Sequence, residues 1–295
     1  MPVNQIRCLL FVVWVSVQLA FGVELETEPA NDQLNSAHSV RAEDALGERT
    51  LRLPKQPFRY AVALPQAVQS IAKQFDNQPA SNPITDHGAT LGRVLFYDPT
   101  LSANGTTSCA SCHKQEHAFT DDRKLSIGFD GKAVTRNSMS LVNARYYPNG
   151  RMFWDERADS LEAQVLMPIE NEIEMGHQLP ELVSQLQADP IYPPLFASAF
   201  DDGKVTKARI SKALSQFVRS IVSFRSRYDL GLAQVADPRD PFPNFTDEEN
   251  LGKQQFFGRA LCSTCHLEPH PSELQPIVAT DAYDFPDDER TRDLA

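Results

Sequence analysis

The chain has 295 residues, 41% of them hydrophobic and 23% charged, the balance of an ordinary folded protein with room for two domains; a wholly disordered or fibrous chain is excluded. A formal net charge of -11 argues against nucleic acid or an anionic membrane surface as partner, and favours a basic protein by long-range steering.

Residues 1–22 carry the marks of a secretory signal: Arg7 in the leading segment, an almost wholly apolar run from Cys8 to Phe21, and a small-x-small cleavage site at Ala20-Phe21-Gly22. Cys8 lies at the start of that run and leaves with it. No other stretch is long and apolar enough to span a bilayer, so a periplasmic protein free of the membrane after cleavage is expected. Residues 23–53 read as a flexible acidic leader. The proline-punctuated stretch 54–83 reads as an extended wrap, with one helix expected at Gln66–Phe75. A second helix is expected over 90–97, followed by a loop at 98–107 containing Pro99, Asn104 and Gly105.

That loop leads into Cys109-Ala110-Ser111-Cys112-His113. Two thiols separated by two residues can bond both vinyl groups on one edge of a porphyrin, while the adjacent imidazole ligates its iron. Taken alone, the motif also suits a dithiol or half of a zinc site. It recurs, however, as Cys262-Ser263-Thr264-Cys265-His266, so the two copies use every cysteine but Cys8. The repeat extends upstream, where Leu91-Gly92-Arg93 runs to Phe96-Tyr97 before the first motif and Leu251-Gly252-Lys253 runs to Phe256-Phe257 before the second. Two covalently bound c-type haems are therefore expected, on Cys109, Cys112, Cys262 and Cys265, with His113 and His266 as iron ligands. In an exported chain the competing use of these thiols is two disulfides, which would leave both histidines coincidental.

Between the motifs, 119–136 reads as a loop shaping the open face of the cofactor. A short helix over 160–167 is capped by Asp159 or Ser160 and stopped by Pro168. Leu179–Ala188 forms another, with Pro180 at its start. The strongest helical pattern covers 206–227, where Ile210, Ala213, Leu214, Phe217, Ile221 and Phe224 make a core stripe and Arg209, Lys212 and Arg219 fall on a solvated face. Three prolines within 237–243 suggest a linker at 237–244 between a first domain, 54–236, and a second, 245–295. In the second, Thr246 caps a helix running to Phe257. Strand patterns are scarce, and the chain reads as all-α.

These residues resemble the bacterial di-haem cytochrome c peroxidase and MauG family. The resemblance rests on Asn82-Pro83, Leu91-Gly92-Arg93 with Pro99, the first haem motif, Arg136-Asn137, Phe153-Trp154-Asp155, 158–164, and Pro168-Ile169 through Glu174-Met175-Gly176. It covers the chain from Asn82 to the C-terminus. It implies two cytochrome c-like haem domains, the first cleaving hydrogen peroxide and the second receiving electrons from a small cytochrome c or cupredoxin. It also implies roles for single residues: Glu174 as the acid-base group, Gln164 as its companion in the distal pocket, Trp154 as an electron relay between the haems, and Asn137 as a contributor to an inter-domain calcium site. Without it, Glu170, Glu172 and Glu174 read as a charged turn and Trp154 as a core aromatic.

Two departures from the family pattern stand out. The loop after the first motif contains only His117, four residues from His113 and too close to reach round the porphyrin, so the first haem is expected to have a permanently open sixth position. The sequence ends at Ala295, about thirty residues after His266 and short of the stretch that carries the second distal ligand in the family, so the second domain is expected to be incomplete. The leading expectation is a periplasmic peroxidase reducing hydrogen peroxide to water. The alternatives are a MauG-like oxidase of a protein substrate and a di-haem electron carrier without peroxidase activity. Family members are often homodimers.

Overall fold

The computed structural model describes residues 51, 53–61 and 63–264. The chain divides into two units between Leu51 and Arg52, and the helices, core and site described all belong to the second. The expected signal segment and nearly all of the expected leader lie outside the described residues, as do Cys265 and His266.

Ten α-helices occur among the described residues: α1 Gln66–Phe75, α2 Asp86–Tyr97, α3 Cys109–Cys112, α4 Leu161–Gln164, α5 Met167–Glu170, α6 Leu179–Ala188, α7 Tyr192–Phe200, α8 Lys207–Ser220, α9 Arg227–Leu232 and α10 Asp247–Phe257. β structure among them is confined to isolated bridges, Lys114 to Thr120, Ile127 to Ala133 and Met152 to Ala158. The chain is all-α. None of the described helices is long and apolar enough to cross a membrane.

The core forms where α2 lies on α8. Leu91, Leu95 and Phe96 of α2 are buried with Ile210, Ala213, Leu214 and Phe217 of α8. Gly92 permits the approach, because a Cβ there would sit 1.9 Å from the carbonyl oxygen of Ala213. The N-terminus of α2 is capped by Thr85, whose hydroxyl accepts from Gly88 N at 3.0 Å, so the helix begins four residues before the expected start. Gln216 of α8 accepts from Thr85 N at 2.9 Å, which ties the cap to the core helix.

Several expectations need correction. Helix α8 ends at Ser220 and not at Arg227, because Asn143 engages the chain just beyond: its N–H donates to Ile221 O at 2.9 Å and its side-chain oxygen accepts from Ser223 N at 2.8 Å. Phe224 still packs as an aromatic, against Tyr146 with ring centroids 5.5 Å apart. Pro168 does not stop a helix but opens α5, where the missing N–H costs nothing in a first turn. Arg219 is not solvated. It is 1% exposed and donates to both carboxylate oxygens of Glu162, at 2.5 and 2.9 Å, and to Asn77 Oδ1 at 3.0 Å.

The proline-containing segment 237–244 is folded against α9 and α10. Phe242 is 1% exposed and meets Tyr228 and Phe245 edge to face, with centroids 5.0 and 5.2 Å away. Asn250 of α10 holds Phe242 by its backbone, accepting from Phe242 N at 2.7 Å and donating to its carbonyl at 3.1 Å. Lys253, also buried, reaches the carbonyls of Pro238 and Asp240 and lies 4.0 Å from the Phe242 ring centroid.

Candidate haem-binding and peroxidatic site

The first motif is carried by α3, one turn of helix. Ser108 caps it, and Ser111 Oγ accepts in return from Ser108 N at 3.0 Å, so the turn is closed by its own sequence. Cys109 and Cys112 are free thiols at the two ends of that turn. Burial, then the neighbouring Cys112, then Glu174 push the Cys109 thiol up to about 12, and burial also raises Cys112. A redox dithiol needs a depressed pKa on its attacking sulfur, so this environment weighs against that use of the motif.

His113 follows as the C-cap of α3. Its Nδ1 lies 2.9 Å from the carbonyl oxygen of Phe119. A carbonyl can only accept, so the Nδ1 facing it carries a proton, as where second-sphere carbonyls orient a metal-ligating histidine; the Met139 carbonyl also hydrogen-bonds the ring. The Phe119 carbonyl is brought there by a tight reversal. Ala118 and Phe119 both have positive φ, 55° and 58°, while Phe119 N and Lys114 N donate to Lys114 O and Thr120 O at 2.8 and 3.0 Å. Two successive non-glycine residues in the left-handed region store backbone strain where the ligand is oriented. Burial lowers the His113 pKa, which keeps the imidazole neutral and able to ligate. The donor set fits a covalently attached haem.

The other site residues fall into two groups. Glu174 lies near the thiols, raising the pKa of both. It differs from its neighbours: Glu170 and Glu172 are exposed, whereas Glu174 is half-buried and burial raises its pKa, opposed by the positive charge of Arg157. A cavity of about 290 Å³ is lined by Glu174, Glu170, Asn171, Pro168, Met167, Phe153 and Arg157. Gln164, at the end of α4, is half-buried and does not line this cavity.

In the second group, Trp154 and Asn137 meet. Trp154 Nε1 donates to Asn137 O at 2.9 Å, and Asp155 pairs with Arg136 at 2.7 Å and Arg157 at 2.8 Å, so the two segments flagged by resemblance form one surface. Trp154 is 52% exposed and is not a core aromatic. Asn137 Nδ2 donates to the carbonyls of Arg123 and Lys124 at 3.2 and 3.0 Å. Among the described residues, no group of three or more His, Cys, Asp or Glu side chains is placed to hold a metal ion. Cys262 is exposed in a 3-10 turn after α10, and its partners Cys265 and His266 lie outside the described residues.

Sequence reasoning missed Arg157, whose guanidinium stacks on the Phe153 ring 3.6 Å from its centroid, and Ser126, which is 1% exposed and hydrogen-bonds Cys112 and Asp121. No spacing rule points to either. Asn171 could have been found, since an asparagine opening a charged turn is a signal for a side-chain-closed reversal.

The profile of the di-haem cytochrome c peroxidase family matches residues 86–237. The chain belongs to this family. Di-haem peroxidase relatives include the methylamine utilization protein MauG of Methylophilus methylotrophus, 37% identical over 155 residues that make up 52% of this chain and 46% of that protein. Cytochrome c551 peroxidase of Nitrosomonas europaea is 33% identical over 183 residues, 61% of this chain and 52% of that one. Among solved structures, a MauG-like protein associated with microbial copper homeostasis superposes with a TM-score of 0.57 and 39% identity, covering 64% of this chain and 54% of its own. The chain thus spans about half the length of the curated relatives it matches. Membership of the di-haem peroxidase family implies c-type haem and an oxidoreductase.

Proposed function

We propose that the protein is a periplasmic di-haem peroxidase that reduces hydrogen peroxide to water with electrons from a small cytochrome c or cupredoxin. The observation that carries this reading is the environment of Glu174, the one carboxylate of its cluster that is withdrawn from solvent, raised in pKa and close to the haem-attaching thiols.

Cys109 and Cys112 would attach a haem and His113 would ligate its iron, which would supply the redox chemistry of peroxide reduction. The protein supplies the proton transfer. Glu174 as carboxylate accepts the proton from the near oxygen and returns it to the far oxygen, which leaves as water. Burial raises its pKa and so makes the carboxylate a stronger base than an exposed one, opposed by the positive charge of Arg157. Gln164 is proposed as a hydrogen-bonding companion in that pocket, and Trp154 as the electron relay. His113, whose Nδ1–H donates to the Phe119 carbonyl, would ligate the iron. A second haem on Cys262 and Cys265 with His266, a domain division at 237–244, and homodimerisation belong to the same proposal. Calcium near Asn137 rests on the resemblance alone, and no step depends on it.

Peroxide entry needs no displaced ligand in this reading, since His117 lies in the tight turn directly after the motif, its N–H bonded to Lys114 O at 3.0 Å. Stopped-flow absorbance of the haem-loaded, all-ferric protein mixed with hydrogen peroxide tests both points. A rapid spectral change in the parent and its loss in Glu174→Gln are expected. Unchanged reactivity of Glu174→Gln would leave the electron-carrier reading, and a low-spin bis-histidine EPR signal from the first haem would remove the open position. A MauG-like oxidase of a protein substrate is the second reading, supported by the exposure of Trp154, from which oxidising equivalents could leave the surface.

A further inference from the structure

The segment between α5 and α6 reverses direction around one side chain. Asn171 Oδ1 accepts from Ile173 N at 2.9 Å and from Glu174 N at 3.1 Å. The carbonyl of the same residue accepts from Met175 N at 3.2 Å and Gly176 N at 2.8 Å, so four consecutive N–H groups converge on Asn171. Gly176, with φ of 64°, completes the reversal where a Cβ would meet the Phe129 ring at 2.3 Å.

A second set of bonds holds the same turn from outside. Phe129 N donates to Glu174 O at 3.0 Å, Ala103 N to Met175 O at 2.8 Å, and His177 N to Ile169 O at 2.8 Å. These need no side chain of the turn, so they keep the segment folded whatever occupies position 171. The two bonds to Asn171 Oδ1 have a different effect, because they orient the peptide plane from which the Glu174 side chain departs. Gly128 leaves the turn no slack on its far side, since a Cβ there would lie 1.6 Å from Ile173 O.

We infer that Asn171 is the positioning residue of Glu174, aiming its carboxyl into the cavity that both residues line. This rests on the reading of Glu174 as the acid-base group. Proton transfer demands placement to within a fraction of an ångström, so a turn that stays folded but relaxes by about 1 Å loses on the order of a hundredfold in rate. Aspartate presents the same acceptor at the same reach. Glutamine carries its carbonyl one methylene too far, and alanine has none.

The test uses the haem-loaded full chain and the rate constant for reaction with hydrogen peroxide on the pH-independent plateau, where an added charge that merely displaces the profile has no effect. Asn171→Ala is expected to lose at least about tenfold, with its haem absorption spectrum and reduction midpoints unchanged. Asn171→Asp is expected to recover to within about threefold of the parent. If Asn171→Ala loads no haem, Asn171→Gln takes its place, slow against a rapid Asn171→Asp. An alanine or glutamine variant as fast as the parent overturns the inference, as does an aspartate variant as slow as they are. Glu174→Gln run alongside separates the two claims: if it reacts at the parental rate, the reading of Glu174 has failed; if it is slow while Asn171→Ala is not, only the role of Asn171 has failed.

Discussion

Trp154 gives its indole proton to the main-chain carbonyl of Asn137, 2.9 Å away, so a half-exposed ring is held in one orientation by a neighbouring loop. The Asp155–Arg136 pair fastens the same two loops a second time. An indole so restrained suits the relay proposed for it, since an electron path needs a ring that does not wander.

Trp154→Phe keeps an aromatic ring but not the donor, and costs about 1 kcal/mol for one partly exposed hydrogen bond. Haem loading is expected to be unaffected and electron passage between the haems slowed, read by following re-reduction of the oxidised protein in stopped flow. Equal rates in variant and parent would rule out the relay.

Arg219 is the most deeply placed charge described, and Glu162 is its counter-ion, with Asn77 and Asn82 completing the hydrogen bonds. Arg219→Met leaves Glu162 uncompensated and is expected to cost about 2 to 3 kcal/mol, less than for a fully buried pair because Glu162 keeps some contact with water. Burial works to raise the Glu162 pKa, but the bonds from Arg219 and Asn82 prevail and hold it below the ordinary carboxylate range. Its contribution is therefore present above the unfolded-state pKa and lost as pH falls through the folded one. Denaturant melts of parent and Glu162→Gln should converge in that acid window; a constant difference at all pH values would contradict the assignment.

The arginine also marks the boundary of what the sequence disclosed. Periodicity located α8 and its apolar stripe, but a stripe describes one face. Here α2 and α4 pack on different sides, so Ser211, Ser215, Gln216 and Arg219 are buried as well. The partner that makes burial of Arg219 tolerable stands 57 residues away, beyond any local pattern. Helix α7 was not foreseen; Pro193 and Pro194 sit in its first turn, where a missing N–H is tolerated. The haem motif was legible because its chemistry is local: two thiols and an imidazole within five residues. The carbonyl that orients the imidazole was not, since it depends on a left-handed turn that neither Ala118 nor Phe119 advertises.

Gly92→Ala places a methyl group against the Ala213 carbonyl where α2 crosses α8. Helices α2 and α8 would have to separate, at a cost of about 1 to 3 kcal/mol. A lower melting temperature is expected, with fewer molecules reaching the haem-loaded state. A variant as stable as the parent would mean that the contact has room the structure does not show.

The raised pKa of Glu174 fixes the sign of two pH effects. If the carboxylate accepts the first proton, the rate with peroxide rises with pH through a value above that of an ordinary glutamate, and Glu174→Gln abolishes this limb. For stability, a carboxyl whose folded pKa exceeds its unfolded one favours the fold below the unfolded pKa, and this contribution is lost as pH rises through the folded one. Glu174→Gln is therefore expected to gain stability over the parent at neutral pH and little at about pH 4. A gain of equal size at both would show that the carboxyl titrates normally.

Lys253 pins the middle of α10 to the carbonyls of the proline-containing segment, and this has a mechanical consequence. Eleven residues of helix make an arm about 16 Å long, so a tilt of about 10° at its base swings the far end by about 3 Å. Cys262 lies just past that end. Fastening the middle of the arm to a folded segment therefore limits how far that end can travel.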